Sequence, residues 1–367
     1  MNIAASYSDK IMASINKKSS RLFLLTGSLG KVTNVISTQA PSVDRTLACD
    51  NRGNWGFPCG KVSFVFSEPG VGKTTLMLHC CAEAQSRGGI AIFIDCEHRL
   101  DKNYAESIGV DVDRLIYGKP ETLEEGLEIV EENIEILIRE IQTLEKKTTQ
   151  KDKAKAEAAE EELNAILNMP IFIAFDSTSI KTNAESRGSG EVGGHSRSIS
   201  KHLRLIIGDV DRLNIAIVYV CQRKQKISTG YAAMFGPGET FLGESALRFH
   251  ATVGIKLIRI KILKSGEDED DKVGSIVKAL NSKNSNSIPF KSGQFEIYFG
   301  KGINYYISLC SALEKYYGAR KTGRKYKLKN PDVEWTDKGG LKKVFETQPK
   351  TARRIRKLLK KPARKRS

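Results

Sequence analysis

Ser67-Glu68-Pro69-Gly70-Val71-Gly72-Lys73-Thr74-Thr75 follows the apolar run Val62-Ser63-Phe64-Val65-Phe66 and precedes Leu76-Met77-Leu78-His79-Cys80-Cys81-Ala82. The first run reads as a buried strand and the second as a helix packed on a sheet, so the nonapeptide joins strand to helix. In that setting it is a phosphate-binding loop. Gly70 and Gly72 free successive backbone N–H groups to wrap phosphate oxygens at the positive end of the helix; Lys73 adds a point charge and Thr74 a hydroxyl suited to Mg²⁺. The usual G-x-x-x-x-G-K-[ST] spacing begins with glycine, whereas Ser67 stands there in this chain. Gly70 supplies flexibility from inside the loop instead.

Outward from this loop, apolar runs at 62–66, 90–94, 171–175 and 215–220 alternate with helical patterns. Alternation of this kind gives an α/β fold with a mostly parallel sheet. Such sheets bind ligands at the carboxyl ends of their strands. There the four runs are followed by the 68–75 stretch, by Asp95 and Glu97, by Asp176 and Ser177, and by Gln222 and Arg223.

The 367 residues carry a net charge of +16, unusual for a nucleotide hydrolase that acts on small molecules, and this points to a polyanionic partner such as nucleic acid. Surface charge serving solubility alone is the alternative. Seven scattered cysteines form no C-x-x-C pair, which argues against zinc sites and disulfide frameworks and for buried thiols in a reducing compartment. With no membrane-spanning window and no signal-peptide core, the expectation is a soluble, cytoplasmic protein.

Residues 1–34 are too few for their own core and are expected to dock on the main domain or on a neighbouring subunit. Within 121–168, Leu123, Leu127, Val130, Ile134, Leu137, Ile138, Ile141 and Leu144 recur at helical spacing, and a second helix follows the break at Thr148-Thr149-Gln150. This predicts a protruding helical hairpin, either a partner-binding arm or, more plainly, a solvated spacer with an apolar seam. Residues 182–200 and 223–243 read as long loops leaving the nucleotide end of the sheet. The acidic run Glu267-Asp268-Glu269-Asp270-Asp271 reads as a hairpin tip. After Glu346 the chain is strongly basic, with Ile355, Leu358 and Leu359 giving one helical face before Pro362 and a cationic tail.

The order of motifs resembles the bacterial RecA family of homologous recombinases, in a divergent, phage-type form. The resemblance runs from about Ser37 to Leu359. It rests on Ser37-Thr38-Gln39-Ala40-Pro41-Ser42-Val43-Asp44 leading to Gly56-Phe57-Pro58-Cys59-Gly60-Lys61, the phosphate loop, Phe93-Ile94-Asp95-Cys96-Glu97-His98-Arg99-Leu100-Asp101, Met234-Phe235-Gly236, and Tyr298-Phe299-Gly300-Lys301-Gly302-Ile303-Asn304. It implies a RecA-like P-loop ATPase core over 35–302, an N-terminal oligomerisation segment over 1–34, and a small α+β C-terminal domain with a basic tail over 303–367.

The resemblance also implies roles. Glu97 would polarise the attacking water, Lys73 would hold the phosphates, and Asp176 with Thr74 would hold hydrated Mg²⁺. The 67–75 loop (Ser67, Glu68, Pro69, Gly70, Val71, Gly72, Lys73, Thr74, Thr75), Asp101, Tyr104 and Phe299 would contact ATP, and Gln222 would sense the γ-phosphate. Arg197, Lys201, Arg223 and Lys224 would serve DNA phosphates, with Phe235, between Met234 and Gly236, as a wedge between bases. Lys283 matches one of two lysines that reach the neighbouring subunit's nucleotide; the second position is Ser285 here. Family members end in an acidic tail, whereas this chain ends in a basic one, expected to capture duplex DNA with the domain before it. The implied activity is that of a DNA-dependent ATPase that forms filaments on single-stranded DNA and exchanges strands with duplex DNA. A ring-forming motor of the same fold, such as a helicase, and a non-catalytic DNA-binding mediator are the rivals. No membrane partner is expected.

Overall fold

The computed structural model describes residues 32–149, 152–189, 193–226, 238–266, 271–337 and 339–361. A small antiparallel sheet opens the described chain: β1 (Val35–Ile36), helix α1 (Pro41–Asp44), β2 (Ala48–Cys49) and β3 (Trp55–Pro58), with β3 between the other two strands. The phosphate loop lies between β4 (Lys61–Ser67) and α2 (Lys73–Ser86). Then come β5 (Ile90–Asp95), α3 (Lys102–Ile108), β6 (Leu115–Gly118), α4 (Leu123–Thr148), α5 (Lys153–Asn168) and β7 (Ile171–Asp176). After α6 (Asn183–Ser186) and α7 (Gly194–Arg212), the chain forms β8 (Ile215–Lys226), β9 (Gly238–Phe241), α8 (Glu244–His250), β10 (Val253–Lys264), β11 (Lys272–Asn284), β12 (Ser292–Tyr298) and β13 (Gly302–Ile303).

A ten-stranded sheet in the order β13-β12-β11-β10-β4-β8-β7-β5-β6, with β9 added to β8, carries the core. From β10 through β6 the neighbours are parallel, while β10 to β13 pair antiparallel. Both faces are covered, which is why the central strands read as unbroken apolar runs: each residue of β7 is buried. On one face α2 packs Leu76, Met77 and Cys80 near Phe93 and Phe172. On the other, α4 and α7 bring Leu127 and Leu203 to Phe175 and Tyr219.

The hairpin has two characters. Leu123, Leu127, Val130 and Ile134 of α4 belong to the core of the large sheet, whereas α5 buries only Ala159 among its residues. A buried histidine ties α4 inward. His202 of α7 sits 2.7 Å from both the Glu131 carboxylate of α4 and the Tyr219 hydroxyl of β8.

Two expected loops are shorter than their composition suggests. The helix α7 begins at Gly194, so Arg197 and Lys201 stand on a helix, with Ile199, Leu203, Ile206 and Val210 as its buried stripe. Glycine and serine at its start hide the helix from a compositional reading, but the stripe supplies the burial that holds it. Arg223 and Lys224 likewise belong to β8, paired with Phe241 and Thr240 of β9. The expected base wedge, Met234, Phe235 and Gly236, lies outside the described residues, as do 1–31, 267–270 and 362–367.

The last described segment is an α+β unit. Helices α9 (Tyr305–Tyr317), α10 (Gly340–Thr347) and α11 (Pro349–Leu359) pack with β14 (Arg320–Thr322), β15 (Lys325–Lys329) and β16 (Asp332–Thr336). Its separate core holds Leu313, Tyr326, Trp335, Leu341 and Ile355, with the Tyr326 and Trp335 rings stacked at 5.5 Å. Among the described residues, no helix is long and apolar enough to cross a membrane.

Candidate nucleotide site and nucleic-acid face

Register brings the site together. Ser67 at the end of β4 lies opposite Gln222 of β8, and Asp95 at the end of β5 lies opposite Asp176 of β7. Four strand ends thus deliver the loop, a glutamine and two carboxylates to one place. Pro69, Gly70, Val71, Gly72, Lys73, Thr74, Thr75, Glu97, Tyr104, Asp176, Gln222 and Phe299 line a cleft of about 300 Å³ there.

The loop requires glycine at residue 72 for two reasons. Its φ is +107°, and a Cβ there would stand 2.2 Å from Ile297 Cδ1. Gly72 N-caps α2, so the helix opens with its free N–H groups facing the loop. Lys73 is nearly buried, and its ammonium donates to the Ser67 and Glu68 carbonyls at 3.4 and 3.1 Å and to the Ser67 hydroxyl at 3.2 Å. Burial lowers its pKa, opposed by the Asp176 and Glu97 charges. Ser67, the departure from the usual loop, is fully buried and thus touches the lysine directly.

Asp176 accepts from the Thr74 hydroxyl at 2.6 Å. Burial pushes its pKa up to about 6, against the lowering effect of that bond. One carboxylate beside one hydroxyl is a donor set suited to Mg²⁺, which keeps several waters and takes the rest of its shell from phosphate oxygens. Among the described residues no cluster of three or more His, Cys, Asp or Glu makes an all-protein metal cage.

Glu97 is held on several sides. Its Oε1 accepts from the Ser177 hydroxyl at 3.0 Å and from the Gln222 amide, and Arg99 stands 3.5 Å from its other oxygen. Asp95 organises the turn that carries it, accepting from the backbone N–H of Glu97, Arg99 and Leu100 and from the Tyr117 hydroxyl. Glu97 can therefore face the phosphate region while bonded to the strand that leads to Arg223.

Other expected contacts fall at different distances from the cleft. Tyr104 lines it and bonds Thr75 through the two hydroxyls at 2.8 Å, but Asp101 caps α3 by accepting from Tyr104 N–H and is not part of the wall. Glu68 turns outward to Arg223, 2.9 Å away, and Arg223 also reaches Glu239 at 3.4 Å. Lys283 of β11 donates to the Arg248 carbonyl and lies off the cleft. Arg197 and Lys201 share a groove of about 610 Å³ with Arg204 and Ser245, and Lys224 is exposed on β8.

Some site residues have no sequence signal. Beside Arg99 of the 93–101 motif, Ser275 and Ile297 complete the cleft wall, and Arg259 donates to the Gly70 carbonyl. Ser275 and Ile297 are register partners on β11 and β12, some two hundred residues beyond the loop in the chain. Only the strand pairing brings them there.

The family model for the RecA N-terminal domain matches residues 9–143 and 173–304. The chain belongs to the RecA family. Curated relatives agree: the Protein RecA of Nostoc punctiforme is 31% identical over 304 residues, covering 83% of this chain and 75% of that protein. That of Trichormus variabilis is 30% identical over 321 residues, 88% of this chain and 78% of the relative, and that of Ruegeria pomeroyi 32% over 253 residues, 69% and 63%. The matched RecA stretches include the phosphate loop, Glu97, Asp176 and Gln222, and leave out 144–172.

Proposed function

We propose that this RecA-family chain is an ATP-dependent DNA recombinase that assembles on single-stranded DNA and pairs it with homologous duplex. The observation that carries this reading is the bond from Gln222 to Glu97. It joins the carboxylate best placed to activate water at the phosphate cleft to β8, the strand that continues into Arg223 and Lys224. Lys73 and the loop amides would hold the triphosphate, and Thr74 and Asp176 would hold Mg²⁺ with its waters. Mg²⁺ would neutralise phosphate charge during transfer. Glu97 would orient the attacking water and take its proton.

Coupling requires that the two nucleotide states differ in affinity for DNA. Gln222 would supply that difference by keeping or leaving Glu97 as the γ-phosphate comes and goes. The α7 face with Arg197 and Lys201, and the β8–β9 hairpin with the 227–237 segment between its strands, would contact the phosphate backbone. The 1–34 segment would dock on the next copy and make the assembly an open helix, and Lys283 would reach the neighbouring copy's nucleotide.

Electron microscopy with long single-stranded DNA, Mg²⁺ and a slowly hydrolysed ATP analogue tests the reading. Extended helical filaments that dissolve with ADP are expected. Closed rings would instead identify a motor, and no ordered assembly a mediator.

A further inference from the structure

A second cleft, of about 540 Å³, opens between the small N-terminal sheet, α2 and the last helix, and it has no part in the nucleotide site. Arg45, Arg52 and Arg87 enter from the core side, Arg356 from α11 and Lys360 from just past its end, and Trp55 forms part of the wall. Arg45 is 4% exposed, its guanidinium lying 3.6 Å from the Trp55 ring centroid. Nη1 donates to the Lys361 carbonyl at 3.3 Å, and the guanidinium also lies 5.1 and 5.7 Å from the Tyr317 and Tyr316 ring centroids, but among the described residues no carboxylate pairs with it. Two buried donors of this wall, Arg45 Nε and Trp55 Nε1, have no hydrogen-bond partner among the described residues.

An unpaired buried guanidinium and orphaned donors are costly unless an acceptor meets them. Two carboxyls line the same cleft but do not pair with Arg45: Asp44 accepts from Ser37 and Thr38, and Glu83 stands 3.9 Å from Arg87. The sequence flanking the described residues is basic at both ends. Residues 1–31 hold one acid, Asp9, against Lys10, Lys17, Lys18, Arg21 and Lys31, and residues 362–367 hold Arg364, Lys365 and Arg366 with no acid.

We propose that this cleft binds a terminal phosphate group, bridging Arg45 and Arg52 to Arg356 of α11 and to Lys360 just past its end. Arg87 is already committed, donating to the Val35 carbonyl and to Asn34 Oδ1 at 2.6 Å each, but the Arg45, Arg52 and Arg356 guanidiniums with the Lys360 ammonium suit a tetrahedral dianion with three free oxygens better than a single carboxylate. The volume is that of a small-molecule pocket. The group can come from free phosphate or a nucleotide, or from the 5′ end of a nucleic acid.

The chain has two tryptophans, Trp55 in the cleft and Trp335 in the C-terminal core, so two indole N–H resonances report the site and the fold separately. The full chain is titrated with inorganic phosphate, AMP, and an oligonucleotide with or without a 5′-phosphate. Inorganic phosphate or AMP should move the Trp55 resonance and leave that of Trp335 still; movement only with the 5′-phosphorylated oligonucleotide assigns the site to nucleic-acid ends. The exposed-rim variant Arg356→Gln/Lys360→Gln should weaken the response about tenfold with the Trp335 resonance unchanged. A Trp55 signal that stays still with ~10 mM phosphate and with every oligonucleotide overturns the site. So does equal movement in the rim variant, or an oligonucleotide effect indifferent to its 5′-phosphate.

Discussion

Glu97 accepts from Ser177 and Gln222 at one oxygen, so replacing it by glutamine keeps the size of the side chain and removes the charge that would draw a proton from water. On the proposed function, Glu97→Gln lowers DNA-stimulated ATP hydrolysis by about 10²-fold or more while nucleotide binding stays within about threefold. Steady-state turnover beside binding of a fluorescent nucleotide checks this; unimpaired turnover would remove Glu97 from the mechanism. Asp44 gives a prediction independent of function. Burial pushes its pKa up to about 7 from 3.8, despite bonds from Ser37 and Thr38 that act to lower it. Above about pH 7 the folded protein therefore carries this charge at a cost, and as pH falls toward 3.8 it takes up a proton that the unfolded chain does not, so stability from this group rises. The slope is at most about 1.4 kcal/mol per pH unit. Asp44→Asn cannot titrate, so the melting temperature of the parent relative to the variant should climb between pH 8 and pH 5. A constant difference across that range would show that Asp44 titrates normally. At this scale the roles of Lys73, Thr74 and Asp176 could be argued from sequence because local spacing encodes a strand, a tight loop and a helix start. The wall formed by Ser275 and Ile297 could not, because it depends on pairing between distant strands.

The α4–α5 hairpin shows what sequence periodicity carries and what it omits. Helical spacing over Leu123, Leu127, Val130, Ile134, Ile141 and Leu144 announces the helix but does not say where its stripe leaves the sheet and turns to a partner helix. In the structure Leu127 packs with the large-sheet core, whereas Leu144, though buried, stands near the hairpin tip, at the start of the 144–172 stretch that the family match leaves out. Leu127→Ala should cost about 2–5 kcal/mol of global stability. Leu144→Ala should instead open the tip locally, raising amide exchange over 140–160 with little change in the global transition. Hydrogen exchange measured beside thermal melting separates the two; a global loss from Leu144→Ala equal to that from Leu127→Ala would make the whole hairpin one cooperative unit with the core. The same limit explains α7. Its first turn reads as loop because Gly194, Ser196 and Ser198 are weak helix formers, and only the contacts of Ile199 and Leu203 with the sheet show why it is helical.

For the whole molecule, the net charge of +16 is shared between a folded surface and a terminal run, and the two should act differently on DNA. Within that run, α11 is structural: Ala352 and Ile355 are buried, and Tyr317 donates to the Leu359 carbonyl at 2.9 Å. Removing residues 349–367 would therefore strip the C-terminal unit of a helix and confuse lost folding with lost charge. Truncation after Lys361 avoids this, because it leaves α11 and takes away Arg364, Lys365 and Arg366. If those cations lie along duplex phosphates, their loss should make the slope of log affinity against log salt shallower by roughly 2–3, since each neutralised phosphate contributes about 0.9. Affinity at low salt should fall similarly across duplex sequences, because phosphate contacts carry no base information. Assembly on single-stranded DNA should change less, since on the proposed reading it rests on α7, β8 and the nucleotide state. A slope unchanged by the truncation would place duplex capture on the folded surface, and equal losses for single-stranded and duplex DNA would make the tail a general electrostatic tether.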